Sequence, residues 1–504
     1  MAVLIKNARV LTMDDHDTEF ERADILVRGT KIEALEPDIR PSDSERDLRV
    51  IDAEGLLAMP GLVNGHLHSG SNLMRGVDLD VPLSVLMLYG YGSTEPPDRH
   101  LHYVRALWGT IEMLKNGITA VHDDPHYAPV PTEASIDGTM QAYLDSGMRA
   151  TATIAYPIVP EYEKYPYVKD MLPDEILQRM DESAAAISPD HLLGLYDRYI
   201  ERWHGAGGGR LRAAVSISTP ERVTPDYFRA LSRLSRKHGL AFDMHIGEQK
   251  YQRVLALHKH GKSFFQYAKD LGCLDEHVMI IHAIWADEHD IDAIADCGCS
   301  VVHNPVSNLW IGSGIMPYRR LWDRGIPIGL GIDDMAVDGT FNLWGVAKTA
   351  GVMHRISEPD WLKWPKASEL LWSLTRGGAR GMCLQDELGM LAPGYQADLI
   401  LLDLSTSAFT PLNDLRRQLI YSENGSSVVL TMVGGEVVVE NGKVLTVDEE
   451  WVKEEVRHLS AGFQQDLARV AEGADRLLPY WREMHLRVAD DDVGLNRWAG
   501  PMVP

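Results

Sequence analysis

Cysteine is scarce in this chain, with four among its 504 residues: Cys273, Cys297, Cys299 and Cys383. So few thiols exclude a disulfide framework and indicate a reducing compartment. The spacing Cys297-Gly298-Cys299 could suit a metal, but it opens an apolar run, and this favours buried, inert thiols. The four thiols therefore predict no catalytic or metal-binding chemistry.

Long apolar runs and an excess of basic residues are also missing. No run approaches the ~20 apolar residues of a membrane span, and the apolar stretch in Met1–Lys6 is too short for a signal peptide. The 49 basic residues face 73 acidic ones, for a net charge of -24. We therefore expect a cytoplasmic protein without a membrane or nucleic-acid partner, and the charge disfavours a strongly anionic substrate.

What the sequence does contain is an alternation of short apolar runs with helical patterns, starting near residue 55. This rhythm is typical of βα units, and the length allows a large barrel with an appended domain. The predicted strands are Gly55–Val63, Gly117–Val121, Arg149–Ala155, Leu211–Ile217, Ala241–Met244, His277–Ile281, Ser300–Val302 and Pro327–Ile332. Eight such units predict an α/β protein with a TIM-type (β/α)8 barrel, in which chemistry lies at the C-terminal ends of the strands.

The two ends of the chain have a different pattern, with strand-like runs that are too few to form a core on their own. We expect residues 1–58 and 386–448 to form one composite β-sandwich beside a barrel of residues 59–385. Residues 449–504 are predicted to form a charged amphipathic helix and a less regular tail. The tail could act as a lid, an oligomer contact or a disordered end.

Metal-binding residue types recur where these strands end. His66 and His68 are separated by one residue, so a strand would direct both side chains to the same face. An isolated pair of this kind is also typical of surface or core histidines. Because further His, Glu and Asp residues follow later strands, we interpret the set as the site of a metal-dependent hydrolase.

These motifs together resemble the amidohydrolase superfamily, and they are most similar to the branch of methylthioadenosine/S-adenosylhomocysteine deaminases and triazine hydrolases. The resemblance runs through Pro60–His68, Leu73–Gly76, His245–Glu248, His282, His303–Leu309, Gly312–Gly314, Gly329–Asp333, Gly378–Met382 and Gly394–Leu399.

The resemblance implies one divalent metal ion held by His66, His68, His245 and Asp333. Zinc suits imidazole and carboxylate donors, and Fe2+ is the alternative. A bound ion lowers the pKa of a water ligand from ~15.7 towards ~7. Asp334 is the alternative ligand if the register differs by one residue, although strand alternation favours Asp333. No lysine follows the fourth strand, as binuclear members require, so one metal is favoured over two.

The resemblance also implies catalytic roles for Glu248 and His282. Glu248 matches the glutamate that protonates the ring nitrogen next to the attacked carbon, a step that lets a C=N bond accept hydroxide. His282, with Asp333, matches the residues that orient or deprotonate the water, and whether His282 contacts the metal stays open. His303 and Asn308 are predicted to bind substrate, although turn chemistry would also explain them.

Further polar residues follow the second strand, His122, Asp123, Asp124 and His126, and they are additional candidates for the site. The chain departs from the adenosine-type relatives after the fourth strand, where Ser218-Thr219-Pro220 stands in place of a Pro-His-Ala-Pro-like segment. This departure puts nucleoside substrates in doubt more than it does the reaction.

The sequence therefore predicts a hydrolytic deaminase that releases ammonia from a small amino-substituted N-heterocycle or aromatic ring. The alternative keeps the site but performs dechlorination, alkylamine release or amide-like C–N cleavage. A non-catalytic binding relative is the third possibility, and the family resemblance also predicts a homo-oligomer.

Overall fold

A computed structural model gives the structure of the chain and describes residues 2–40, 47–77, 80–89, 98–184 and 187–498. Its strands are β1 (Ala2–Leu11), β2 (Glu19–Arg28), β3 (Lys31–Glu36), β4 (Leu48–Asp52), β5 (Leu56–Pro60), β6 (Leu62–Leu67), β7 (Ile118–Asp123), β8 (Arg149–Ala152), β9 (Leu211–Ala213), β10 (Val215–Ser216), β11 (Phe242–Ile246), β12 (Val278–His282), β13 (Ser300–His303), β14 (Ile328–Leu330), β15 (Leu399–Asp403), β16 (Val428–Val433), β17 (Glu436–Glu440) and β18 (Lys443–Val444).

Helices follow most of the central strands. They are α1 (Leu83–Tyr89), α2 (Arg99–Lys115), α3 (Glu133–Ser146), α4 (Val168–Met171), α5 (Asp174–Ala184), α6 (Pro189–Trp203), α7 (Pro225–His238), α8 (Lys250–His260), α9 (Phe264–Asp270), α10 (Glu288–Asp296), α11 (Pro305–Trp310), α12 (Tyr318–Asp323), α13 (Met335–Asp338), α14 (Leu343–Met353), α15 (Ala367–Trp372), α16 (Gly378–Gly381), α17 (Leu415–Tyr421) and α18 (Glu449–Asp490).

The central strands form two parallel sheets, β6-β7-β8-β9 and β10-β11-β12-β13-β14. Only Ala214 separates β9 from β10, and its N–H bonds Ala152 in one sheet while the next N–H, of Val215, bonds Ala241 in the other. On the opposite side, a parallel bridge joins Leu67 to Asp333. All eight predicted strand positions thus hold strands, and their C-terminal ends lie on one side.

A nine-stranded sheet combines the two ends of the chain, in the order β18-β17-β16-β15-β5-β1-β2-β3 with β4 beside β1. Strand β5 joins the two parts, because it pairs in parallel with β1 and antiparallel with β15. Val3 and Val27 from the first part share one apolar cluster with Leu399 and Met432 from the second. Strands from both ends of the chain therefore belong to one sheet.

One predicted strand was wrong in its extent. Gly55–Val63 was expected to be continuous, but the chain changes sheets at Gly61, between β5 and β6. A Cβ at Gly61 would lie 2.1 Å from the Thr119 side-chain oxygen. The close approach of β7 at this point excludes any larger residue, and the crossover therefore requires glycine.

Helix ends follow ordinary capping chemistry, as α7 illustrates. Thr224 caps the N-terminus by accepting a hydrogen bond from the Tyr227 N–H, and Pro225 occupies the first turn, where no N–H is needed. Gly239 ends the helix with φ 64°, a conformation that favours glycine. Such caps determine where each helix ends and where the connection to the next strand begins.

The C-terminal helix α18 lies across helices from both halves of the central region and contacts α1, α2, α4 and α8. Its Trp481 is fully buried, and after it the Arg497 carbonyl accepts a hydrogen bond from the Ile315 N–H at 2.8 Å. Trp498 packs edge-on against Trp285, with ring centroids 5.2 Å apart. The tail, up to residue 498, thus lies against the loops that follow β12 and β13.

Among the described helices, none combines the length and the apolar character that crossing a lipid bilayer requires.

A buried ion pair links the central strands to the terminal sheet. The Arg149 guanidinium donates to both carboxylate oxygens of Asp398, at 2.8 and 3.0 Å, and the Gly434 N–H donates to the same carboxylate. Removing one member of such a pair leaves an uncompensated buried charge.

We predict that Asp398→Asn lowers the free energy of unfolding by about 3–5 kcal/mol. The double variant Arg149→Met/Asp398→Leu should lose less unfolding free energy than the sum of the losses of Arg149→Met and Asp398→Leu, because it leaves no unpaired buried charge. Urea unfolding followed by circular dichroism measures both effects. Strictly additive losses would show that the pair contributes no coupling between the two sheets.

Candidate metal centre and its cavity

Two histidines leave the end of β6 on the same side, as the strand alternation predicted. The Nε2 atoms of His66 and His68 lie 3.2 Å apart, and both residues are buried. His245, at the end of β11, brings its Nε2 atom to 3.1 Å from that of His66. Asp333, just after β14, places Oδ1 3.3 Å from His66 Nε2 and 3.4 Å from His68 Nε2.

The orientation of the imidazoles fits a metal ion at their centre. Nδ1 of His68 lies 2.7 Å from the Asp124 carbonyl oxygen, and Nδ1 of His245 lies 2.9 Å from that of Ser218. A carbonyl only accepts, so each Nδ1 carries the proton and each Nε2 presents a lone pair. Donors about 2.0–2.1 Å from a tetrahedral zinc ion lie about 3.3–3.4 Å from one another, and the four distances given above, 3.1–3.4 Å, are close to that spacing.

Electrostatics in the cluster support the same conclusion. Burial lowers the pKa values of His66 and His245, so both imidazoles are neutral donors at neutral pH. Burial alone would raise the pKa of Asp333, but contacts with His66 and His68 hold it well below its ordinary value. At His68 the Asp333 carboxylate outweighs burial and raises the pKa to about 10. The cluster thus attracts positive charge, whether a proton or a metal ion.

Asp333 and its neighbour Asp334 have separate partners. Asp333 Oδ2 accepts a hydrogen bond from Ser307 Oγ at 2.7 Å, which leaves Oδ1 facing the histidines. Asp334 instead caps α13, since its Oδ1 accepts from the Ala336 N–H at 2.7 Å. Of the two carboxylates, Asp333 is therefore the one that joins the cluster.

Glu248 and His282 lie next to this cluster. His282 Nε2 is 3.5 Å from Glu248 Oε2 and 3.8 Å from Asp333 Oδ2, and both residues are buried. Burial, with the Asp333 charge, raises the pKa of Glu248 well above its ordinary value, and burial lowers that of His282 to about 3. The pair therefore combines a carboxyl group that holds a proton readily with a neutral imidazole.

The residues predicted to bind substrate lie behind this pair. The side-chain amide of Asn308 lies 2.9 Å from Nδ1 of His282, and that of Asn304 lies 3.3 Å from the same atom. His303 Nε2 lies 3.2 Å from His354 Nε2. Neither Asn308 nor His303 lines the cavity, so a direct substrate contact has no support from their positions.

The candidate site residues after the second strand differ in whether they line the cavity. His126 lines the cavity and stacks on His68, with ring centroids 4.2 Å apart. Asp123 accepts from the Ser69 N–H and the Tyr143 hydroxyl, and His122 bonds Thr151. These contacts fix Asp123 and His122 within the surrounding structure, and neither residue lines the cavity.

A cavity opens beside the cluster, with one polar and one apolar wall. Its lining residues are His68, Leu83, Leu86, Met87, His126, Ser218, Thr219, Arg222, His245, Glu248, Tyr251, His282, Ser307, Ile311, Asp333, Asp334 and Val337. Arg222 and Tyr251 were not among the predicted site residues. Arg222 follows β10 by only a few residues, and that position at a strand end is the signal that could have identified it.

Three non-glycine residues at the ends of these strands have backbone conformations in the left-handed region. The φ angles are 60° at Ser218, 76° at His282 and 73° at Asp333. Such conformations are costly for ordinary residues and concentrate at functional sites. The strain therefore coincides with the residues that surround the cavity.

Comparison with known proteins identifies relatives that span most of the chain. The model of the amidohydrolase family matches residues 57–438. The 5-methylthioadenosine/S-adenosylhomocysteine deaminase of Caldanaerobacter subterraneus subsp. tengcongensis is 30% identical over 464 residues, which cover 90% of this chain and 97% of the relative. The 5'-deoxyadenosine deaminase of Methanosarcina mazei is 27% identical over 456 residues, which cover 90% and 96%.

Among solved structures, atrazine chlorohydrolase TrzN from Arthrobacter aurescens TC1 complexed with zinc superposes with a TM-score of 0.79 at 26% identity, covering 91% of this chain and 100% of the other. These findings confirm the resemblance stated from the sequence and the class of hydrolase acting on C–N bonds. The chain belongs to the amidohydrolase family.

Proposed function

We propose that this protein is a metal-dependent hydrolytic deaminase of a small amino-substituted heterocycle. The observation that carries the proposal is that Glu248 and His282, 3.5 Å apart, line one cavity together with three members of the cluster, His68, His245 and Asp333. The deaminase names of the curated relatives support the reaction type.

In this proposal, His66, His68, His245 and Asp333 hold a single divalent ion, and zinc suits the donor set. The zinc in the matched atrazine chlorohydrolase structure supports the choice. Such an ion would supply Lewis acidity and would lower the pKa of a bound water to about 7. The carbonyl contacts of His68 and His245 keep the Nε2 lone pairs directed at the ion.

Glu248 supplies the proton that the substrate ring needs. A protonated Glu248 carboxyl donates to the ring nitrogen beside the carbon that loses the amino group, which removes the need to build negative charge there. The raised pKa of Glu248 keeps this proton available near neutral pH. His282 and Asp333 orient the attacking water and accept its proton, with His282 held by the Asn308 amide.

A second candidate function keeps the same residues and changes the leaving group. The structural likeness to an atrazine chlorohydrolase favours it. Chloride or an alkylamine would then leave in place of ammonia, and Glu248 would still protonate the ring. Mass analysis of the products separates the two functions.

We also propose that the eight central strands close into a (β/α)8 barrel and that the terminal sheet folds over as a β-sandwich. The bonds on both sides of the parallel sheets support closure, and the apolar cluster shared by both termini supports the sandwich. The proposed division is 1–58 with 386–448, 59–385, and 449–504. A cytoplasmic location and a homo-oligomeric assembly stay predictions.

The deaminase proposal predicts ammonia release from at least one member of a panel of aminopurines, aminopyrimidines, aminopterins and aminotriazines. The measurement is coupled ammonia detection on protein whose metal content has been determined. Absence of ammonia across the panel, together with chloride or alkylamine release from substituted triazines, would replace the first function by the second.

Metal analysis should find about one divalent ion per chain, because the four donor atoms form one cluster. We expect His245→Ala to lower the metal affinity by at least about tenfold. Bound metal and activity should fall together. Inductively coupled plasma mass spectrometry after dialysis measures the metal. His16→Ala serves as the control, since His16 is exposed and belongs to none of the groups of possible metal ligands among the described residues, so the metal content should stay unchanged.

Glu248→Gln should reduce kcat by about 10²–10⁴-fold without loss of metal, because the amide has the same shape but cannot act as the acid. The matched control is Glu276→Gln, an exposed glutamate before β12. Steady-state kinetics and metal analysis check both variants. Full activity in Glu248→Gln would assign the proton transfer to another residue.

A further inference from the structure

Arg222 is a buried cation in the cavity wall that the proposed reaction does not use. It lies in the short turn Pro220–Arg222 after β10, and only 9% of its surface is exposed. Its Nη1 donates to Ser218 Oγ at 2.9 Å. Among the described residues, no carboxylate oxygen lies within 4.0 Å of the guanidinium, and no other hydrogen bond of its side chain is seen.

Two other buried arginines in this protein form ion pairs. Arg149 bonds Asp398 at 2.8 Å, and Arg253 bonds Asp290 at 2.9 Å. Burying a charged group without a partner costs several kcal/mol or more by usual estimates. Arginine cannot relieve this cost by losing its proton at neutral pH. The guanidinium of Arg222 therefore lacks the carboxylate partner that Arg149 and Arg253 have.

Two acidic residues whose charges act on Arg222 have their own hydrogen-bond or ion-pair partners. Glu161 pairs with Lys164, and Glu221 Oε1 accepts from the Gln252 side chain at 3.0 Å. Both acids still act on Arg222 from a distance and help to keep it charged. Because neither provides a direct contact, the free N–H groups of Arg222 remain for a molecule in the cavity.

Arg222 also lies close to the proposed reaction centre. Ser218, which accepts its hydrogen bond, also accepts the Nδ1 proton of His245 at its carbonyl oxygen. Glu248 and Arg222 line the same cavity. A ring held with its nitrogen at Glu248 would thus have an edge within reach of the polar wall that contains Arg222.

We propose that Arg222 recognises an oxygen acceptor on the substrate, and that the substrate is an amino-heterocycle that also carries a ring oxo group. A guanidinium offers several N–H donors in a fixed fork, which suits a carbonyl or carboxylate oxygen. The acidic net charge of -24 favours a neutral oxo group over a carboxylate. This inference rests on the proposed deaminase function and extends it to the substrate class.

The test compares matched pairs of amino-heterocycles that differ in the ring oxo group, with a carboxylate-substituted member as a third arm. We expect wild-type kcat/KM to favour the oxo-bearing member by at least about tenfold, since a charged hydrogen bond contributes about 1.5–3 kcal/mol. Arg222→Met should remove this preference and leave the oxo-free member within about threefold of wild type. Arg222→Lys should restore part of it.

The matched control is Arg236→Met. Arg236 is exposed, pairs with Asp275 before β12 and does not line the cavity. It loses the same guanidinium and should keep the preference for the oxo-bearing member. Equal kcat/KM values for both members of each pair in wild type, with ammonia released from both, would overturn the inference while the deaminase function stands.

A binding measurement separates this inference from the proposed function. Oxo-bearing and oxo-free heterocycles without an amino group cannot release ammonia, and their binding is read as a shift in the unfolding midpoint. We expect a larger shift from the oxo-bearing analogue, which Arg222→Met should abolish. This result without ammonia from any substrate would refute the deaminase and support the oxygen-recognition role.

Two further readouts distinguish recognition from a structural role. An unpaired buried cation should not stabilise the fold, so Arg222→Met should unfold at the wild-type midpoint or above it. A marked fall in the midpoint would overturn the inference. A preference for the carboxylate member that Arg222→Met removes would support oxygen recognition and assign the oxygen to a carboxylate.

Discussion

The convergence of three imidazole nitrogens and one carboxylate oxygen is the interaction on which the rest of the site depends. The Nε2 atom of His66 lies 3.2 Å from that of His68 and 3.1 Å from that of His245, beside Asp333. Buried lone pairs this close repel unless a cation lies between them. The backbone supports the same geometry, because the Asp333 N–H donates to the His66 carbonyl and the His68 N–H donates to that of Asp333.

This arrangement explains where the fold concentrates backbone strain. Ser218, His282 and Asp333 adopt positive φ angles at three strand ends around one cavity. Each such residue costs about 1–3 kcal/mol and persists only where its surroundings determine it. Parallel strands provide those surroundings, since the neighbouring backbones are already paired. The rigid sheets thus allow side chains to turn inward at positions that an isolated loop would not hold.

The sequence predicted the parts of the site that follow from local pattern. Alternation along a strand predicted the shared face of His66 and His68, and the family resemblance implied that His245 and Asp333 would join them. From the sequence, Asn308 is predicted to contact the substrate. Its position beside His282 depends on tertiary packing, which a sequence pattern does not show. The break at Gly61 was missed for a similar reason, since it depends on how closely Thr119 approaches from another strand.

Glu248 and Arg222 line the same cavity but bear on two different properties, the reaction and the substrate. Burial disfavours the charged form of both side chains, but a carboxyl group can respond by keeping its proton, whereas a guanidinium cannot. Glu248 therefore needs no counter-charge and becomes an acid, which bears on the reaction. Arg222 stays charged, and we propose that its N–H groups beyond the one at Ser218 bind an acceptor on the substrate. The identity of that acceptor bears on the substrate, which is the property that the family relationship leaves open.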